Sequence, residues 1–415
     1  MSIFKNTEIA FKNKSTQDLN RAYLLFKAIN NKILSFVSIN LLKLSLYFNI
    51  PIDFIIKNTV FKQFCGGISI NDCQNTIHKL AKSNIGTILD FSAEGKEKDE
   101  DFIRVTNEII DTINEACTNQ DIPFAVFKMT GITKKSILET LSKNVKYLQE
   151  KIQFIFDKEN EINGKYLTKS EREIMDFLLR LKKICDASFN KNVRLFIDAE
   201  ESWIQEAIDN IVIDLMNRYN KEKAIIFNTI QMYRVDRIHY LNNIINQAKS
   251  NDFFIGLKIV RGAYHDKEIS KSMLLGDKSP PVYLNKKHTD IDFNKALKIC
   301  IENIKYISIC AGTHNENSCR YLIDLMKENQ IDPDDNRIFF SQLLGMSDHI
   351  SYNASNLGYN VSKYVPYGPV KEVIPYLIRR AEENTSIKGQ MGRELKNIII
   401  ERKRRLHLNR NSNSQ

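Results

Sequence analysis

Eight short apolar runs punctuate the chain, at 84–90, 123–130, 192–198, 223–231, 253–262, 306–314, 337–342 and 362–366. Each is rich in Ile, Val, Phe or Tyr, as strands are. The intervals between them carry helix-spaced apolar positions and are long enough for a crossover helix, as parallel strands require. A run of eight β-α units predicts an α/β fold, a closed (β/α)8 barrel of the TIM type. A doubly wound open sheet is the alternative. The expected organisation is a helical region over 1–83, the barrel over 84–385 and a C-terminal helix and tail over 386–415. The long interval 131–191 predicts an inserted helical hairpin. The last residues, 408–415, are rich in Asn and Ser without apolar periodicity and read as frayed.

The polar residues that close these runs point to a site. Asp90, Lys128, Asp198, Gln231, Thr313, His314, Gln342 and Tyr364 lie at or near the C-terminal ends of their strands. That is the rim where barrel enzymes place their chemistry. After the last run, Tyr376, Arg379, Arg380 and Glu383 recur at i, i+3, i+4 and i+7, opposite an apolar stripe of Ile374, Leu377, Ile378 and Ala381. Two arginines held on one helix suit a planar carboxylate or phosphate, with Glu383 steadying one guanidinium. A solvated helix face with an ion pair is the plainer alternative.

Composition narrows the function classes. The 415 residues are 43% hydrophobic, enough for a large core, and the net charge of +10 is spread along the chain instead of forming an Arg/aromatic stripe, so nucleic-acid binding is not expected. The seven cysteines form no C-x-x-C pair and predict reduced thiols in a cytoplasmic setting. The histidines lack metal-ligand spacing, so no metal is expected. No secretory signal is visible at the start. The most apolar segment, 33–50, is broken by Ser, Asn and Lys residues and is too interrupted to span a bilayer.

Seven short motifs occur in a fixed order: Phe127-Lys128; Ile197-Asp198-Ala199-Glu200-Glu201; Ile230-Gln231-Met232-Tyr233; Leu257-Lys258-Ile259-Val260-Arg261-Gly262-Ala263-Tyr264; Ala311-Gly312-Thr313-His314-Asn315; Gln342-Leu343-Leu344-Gly345-Met346; and Tyr376-Leu377-Ile378-Arg379-Arg380-Ala381-Glu382-Glu383-Asn384. Each is weak alone. Together, over roughly Asn84 to Asn384, the chain resembles the FAD-dependent proline dehydrogenases, flavoenzymes on a (β/α)8 barrel. The resemblance implies oxidation of L-proline to Δ1-pyrroline-5-carboxylate by hydride transfer to FAD, with electrons passed on to a quinone. A separate pyrroline-5-carboxylate dehydrogenase would act downstream, since the chain ends soon after the barrel and looks monofunctional.

The resemblance also assigns residues. Asp198 and Lys258 would be the catalytic pair, Asp198 orienting a cation beside the flavin. Lys128, Arg379 and Arg380 would bring three positive charges to the substrate carboxylate, and Leu344, Tyr364 and Tyr376 would wall its ring. Ala199, Gln231, Lys258, Val260, Arg261, Gly262, Ala263, Thr313, His314, Gln342 and Glu383 match the cofactor positions. Gly262 and Ala263 lack bulk, which would let backbone approach the cofactor. The chain departs from the family's pattern at Lys258, where others carry Arg, and at Gly312, where many carry Ala. The 280–290 loop, with Asn285 and Lys286, aligns loosely with a flavin-contacting loop. Hydroxyproline as substrate, or a phosphate-ligand barrel enzyme, are the rival readings. The expected location is cytoplasmic, with peripheral contact at the inner membrane surface as a further option. The candidate contact is the C-terminal helix, where Ile398, Ile399 and Ile400 precede Arg402, Lys403, Arg404 and Arg405; packing of those isoleucines on the protein is the competing reading.

Overall fold

A computed structural model describes residues 3–31, 34, 40, 53–91, 96–157, 168–386 and 390–412. Every apolar run carries one strand: β1 (Ile85–Phe91), β2 (Phe124–Lys128), β3 (Arg194–Asp198), β4 (Ile226–Gln231), β5 (Ile255–Val260), β6 (Ile307–Gly312), β7 (Ile338–Leu343) and β8 (Val361–Tyr367). They close into a barrel in sequence order, as the alternation of strands with long intervals predicts. The pairs from β1 to β6 are parallel. Among the described residues the interval between β2 and β3 holds a 3-10 turn, Met129–Gly131, and three α-helices, Lys135–Lys143, Val145–Asp157 and Lys169–Asn190, the last opened by a capping box between Thr168 and Glu171. A second insertion separates β5 from β6, where His265–Leu275 precedes the helix Lys286–Glu302.

By internal contacts the chain divides into two units, Ile88–Phe340 and the pairing of Met1–Thr87 with Ser341–Gln415. In the first, Phe124 touches Phe196 of β3, Phe227 of β4 and Phe339 of β7, with ring centroids 4.3, 5.5 and 4.9 Å apart. β2 is adjacent to neither β4 nor β7, so these rings can meet only through the barrel interior. Phe124, Phe227 and Phe339 lie near the N-terminal ends of their strands and, with Phe196, form a floor, with the half-buried Arg194 guanidinium 5.5 Å from the Phe124 ring. Gly256 fits beneath them because any Cβ there would stand 2.5 Å from the Phe227 ring. Period-2 alternation from this layer puts Phe196 and Asp198 of β3, Thr229 and Gln231 of β4, and Lys258 and Val260 of β5 on the same inward face.

The second unit has its own core, in which Phe11, Leu19 and Phe26 from the N-terminal helices meet Phe61, Phe64, Ile374, Leu377 and Ile398. Most of the segment 33–50 falls outside the described residues. The 408–415 tail is not frayed throughout: the last helix runs Gln390–Ser412, and Glu401 binds Arg404 and Arg405 across one turn to sustain it. The basic run beside Ile398 is likewise committed. Arg405 donates to the carbonyls of Phe11 and Lys14, Arg402 donates to Asn20, Arg404 pairs with Glu8, and Ile398 is buried. Of the three isoleucines only Ile398 is buried; Ile399 is half-buried and Ile400 is exposed. Among the described residues no helix is long and apolar enough to cross a membrane.

Candidate active site

The rim of the Ile88–Phe340 unit is organised around Asp198. Lys128 and Asp198 are Cα partners in the β2–β3 ladder, and the Lys128 Nζ donates to Asp198 Oδ2 at 3.1 Å. From β5, not a neighbour of β3, Lys258 Nζ donates to Asp198 Oδ1 across the interior, with its ammonium 5.2 Å from the Phe196 ring. All three side chains are largely buried, so one carboxylate holds two ammonium groups in a low-dielectric setting where each charge needs a partner. Asp90 Oδ2 stands 4.0 Å from Lys128 as well. Strand register thus places carboxylates against Lys128, and any anion that it meets would share its charge with Asp198 and Asp90.

Gln231, buried at the end of β4, bridges its neighbours: its Nε2 donates to the Glu200 carbonyl at 2.7 Å and its Oε1 accepts from Ala263 N at 3.3 Å. Ala199 is buried beside Asp198. Gly262 has φ +125°, and a Cβ there would lie 2.3 Å from the Tyr233 ring, so the glycine answers to backbone conformation and to tyrosine packing. The small size of Gly262 therefore serves the protein's own packing as well as any cofactor's approach. Val260 lies beneath Gly312, where an added Cβ would come within 2.9 Å of its methyl group. Arg261 turns outward, as alternation requires, over the Phe293 ring. It binds Asp290 at 2.6 Å, Ser318 at 2.9 Å and, through Nη1, Thr313 Oγ1 at 2.5 Å. Two residues assigned to the cofactor thus hold each other, and the adjacent His314 is half-buried. In the 280–290 loop, Asn285 caps the following helix and Lys286 pairs with Asp290.

In the other unit, Gln342 is buried and accepts from Ser351 Oγ at 2.7 Å. Leu344 donates its N–H to the Tyr364 carbonyl at 2.9 Å. On the helix Val370–Ser386, Ile374 and Leu377 are buried as the apolar stripe requires, but Tyr376 and Arg380 are buried too, at 6% and 9% exposure, with Arg379 half-buried. The plain solvated-face alternative fails for this helix. The Arg380 guanidinium lies 5.1 Å from the Tyr376 ring. Glu383 and Ala381 lie outside the residues whose side chains are described.

Residues 73–393 match the proline dehydrogenase family. The chain belongs to that family. Its members are oxidoreductases acting on CH–NH bonds. The chain is 34% identical to proline dehydrogenase 1, mitochondrial, of Dictyostelium discoideum over 97% of its own length and 75% of that protein. It is 28% identical to hydroxyproline dehydrogenase of Xenopus laevis over 95% of its length and 89% of that protein. Its fold resembles the crystal structure of proline utilization A from Bdellovibrio bacteriovorus inactivated by N-propargylglycine, with TM-score 0.69 and 20% identity over 93% of this chain and 38% of that one. The chain thus spans well under half of that larger protein.

A proline dehydrogenase implies a flavin, and the β4–β5 rim suits one. Among the described residues, Thr229 Oγ1 and Arg234 Nη1 are buried with no hydrogen-bond partner. Both can donate to a polyanionic, acceptor-rich group, and Thr229 is the ladder partner of the cationic Lys258. Among the described residues no cluster suits a metal ion. Two features of this rim escaped the sequence reading. Glu200 is fully buried and accepts from Thr130 N at 3.0 Å and from Thr130 Oγ1. Burial pushes its carboxyl up to about 7, against the pull of the Thr130 hydrogen bonds and Lys128. The adjacent Glu201 is held below the ordinary carboxylate range: burial opposes its ionisation, and Lys135 and Lys267 overcome it.

Proposed function

We propose that this chain oxidises L-proline to Δ1-pyrroline-5-carboxylate, as a first step of proline breakdown, using FAD. When bound, FAD supplies the hydride acceptor and the route by which electrons leave to a quinone. The observation that carries the reading is the Lys128–Asp198–Lys258 group on the interior face of a family-matched barrel. Asp198 fixes the Lys258 ammonium in one orientation, and a fixed buried cation favours negative charge developing beside it. Gln231, through its two backbone partners, sets the spacing of the β3, β4 and β5 ends where the cofactor positions lie. Arg379 and Arg380 are assigned to the substrate carboxylate, and Leu344, Tyr364 and Tyr376 to its apolar ring.

The decisive measurement is the visible spectrum of purified protein. Flavin bands that bleach anaerobically with L-proline are expected; colourless protein, with no flavin released on denaturation, would overturn the reading. Arg380→Met should retain flavin and raise the KM for proline roughly tenfold to a hundredfold, the worth of a charge-assisted carboxylate contact. An unchanged KM would remove Arg380 from the substrate site. The long match to a hydroxyproline dehydrogenase favours that substrate as the second reading. A wall residue at Tyr364 leaves little room for a ring hydroxyl, so kcat/KM should favour proline over hydroxyproline, and Tyr364→Ser should narrow the ratio.

A further inference from the structure

The β2–β3 ladder does not stop at the strand ends. Its last strand rung is the ion pair Lys128–Asp198, and two residues further on each side the same offset of 70 positions pairs Thr130 with Glu200. Glu200 is locked from several directions. Its N–H donates to Gln205 Oε1 at 2.8 Å, its carbonyl accepts from Gln231, and its carboxyl grips both the N–H and the hydroxyl of Thr130. A hydrogen-bonded belt, Thr130–Glu200–Gln231–Ala263, thereby runs across the ends of β2, β3, β4 and β5.

The belt works with either charge on Glu200. When the carboxyl is ionised, Thr130 Oγ1–H donates to Oε2; when it is protonated, Oε2–H donates to Oγ1, while Oε1 accepts from Thr130 N–H in both states. No heavy atom has to move. Among the described residues, the charged groups around it are Lys128 with its partners Asp198 and Asp90, and Glu201 with Lys135 and Lys267. Beyond Gln205 stands Asp209, paired with Arg237. Lys128 is the cation nearest in role. Each proton lost from Glu200 adds a negative charge beside it.

We propose that Glu200 is a positioning residue that carries a removable proton, and that its charge state governs how firmly the Lys128 side of the rim holds an anionic ligand. In the reading of this chain as a proline dehydrogenase, on which this rests for its ligand, that anion is the proline carboxylate. Proton loss to solvent weakens the hold without altering the fold. The buried setting makes the change large, because one added charge at short range in a poorly solvated rim is worth on the order of tenfold in affinity.

The test uses flavin-loaded wild type and Glu200→Gln, an isostere that keeps both contacts to Thr130. Infrared titration without substrate should show a protonated carboxyl band in the wild type that disappears with a midpoint near 7 and is missing from E200Q. Thr130→Val should move the midpoint upward and Thr130→Ser should restore it, a response that a purely structural Glu200 would not give. With proline, the wild-type KM should rise roughly tenfold relative to E200Q between about pH 6 and pH 8.5, with kcat following one profile in both. A carboxyl band that is missing, or that persists in E200Q, would overturn the inference, as would parallel KM profiles. If proline reduces the flavin in neither protein, the proline reading fails, and the infrared titration alone then decides whether Glu200 carries the proton.

Discussion

Two fully buried carboxyls in this chain answer burial in opposite ways. Glu200, in the Ile88–Phe340 unit, is pushed up to about 7. Asp348, in the unit formed by the two chain ends, is held well below the ordinary carboxylate range, because Lys14 at 2.8 Å and Lys363 at 2.9 Å overcome the same burial. Lys363 is itself fully buried, its ammonium donating to the Met346 carbonyl at 2.5 Å, and burial lowers its own pKa. The difference lies in the partners. A carboxyl answered by neutral donors keeps its proton near neutrality, whereas one clasped by two ammonium groups gives it up for good. The first arrangement leaves a group that can change state; the second makes a permanent brace.

Asp348→Asn should break the comparison most severely. It strands the Lys363 ammonium in the interior, at a cost of about 3–5 kcal/mol in denaturant unfolding. A loss under about 1 kcal/mol would mean that the brace is not electrostatic. The two acids should also separate by pH. Glu200 has its folded pKa raised, so its stabilising contribution is complete below the ordinary glutamate value and is lost as pH rises through about 7. Glu200→Gln should therefore match wild type near pH 4.5 and exceed it above neutrality by on the order of 2 kcal/mol, read from paired urea melts. Asp348 has its folded pKa lowered, so its contribution is complete above the ordinary aspartate value and falls away on acidification. D348N should flatten the acid limb and leave the neutral limb unchanged. The smallest effect is expected for Lys14→Met. That lysine is partly exposed, and its loss should cost about 1 kcal/mol, because Lys363 still answers Asp348.

The barrel was legible because strand and crossover lengths are local properties of the chain, and each apolar run became one strand. The rim positions were legible for the same reason, since strand ends and the alternation of Lys258 with Val260 are local, but only the family resemblance named Asp198 and Lys258 together, because they lie on different strands. Glu200 was not. Its role depends on a ladder offset with Thr130 that only pairing reveals, and two adjacent glutamates look alike in sequence although Lys135 and Lys267 claim only Glu201. The Lys14–Asp348–Lys363 brace was hidden more deeply, joining residues from both ends of the chain. The terminal helix hid its own partners for a further reason. Clustered arginines resemble a free cationic surface until Glu401 and the carbonyls of Phe11 and Lys14 are seen to occupy them.

The phenylalanine floor carries a consequence for traffic. Phe124, Phe196, Phe227 and Phe339 meet inside the barrel below the rim, with the Arg194 guanidinium 5.3 Å from the Phe339 ring. A polar ligand held at the rim therefore meets a packed aromatic layer beneath it, where its hydrogen bonds to water would go unanswered. The way in is then the cheaper way out, and arrival and departure compete for the same passage.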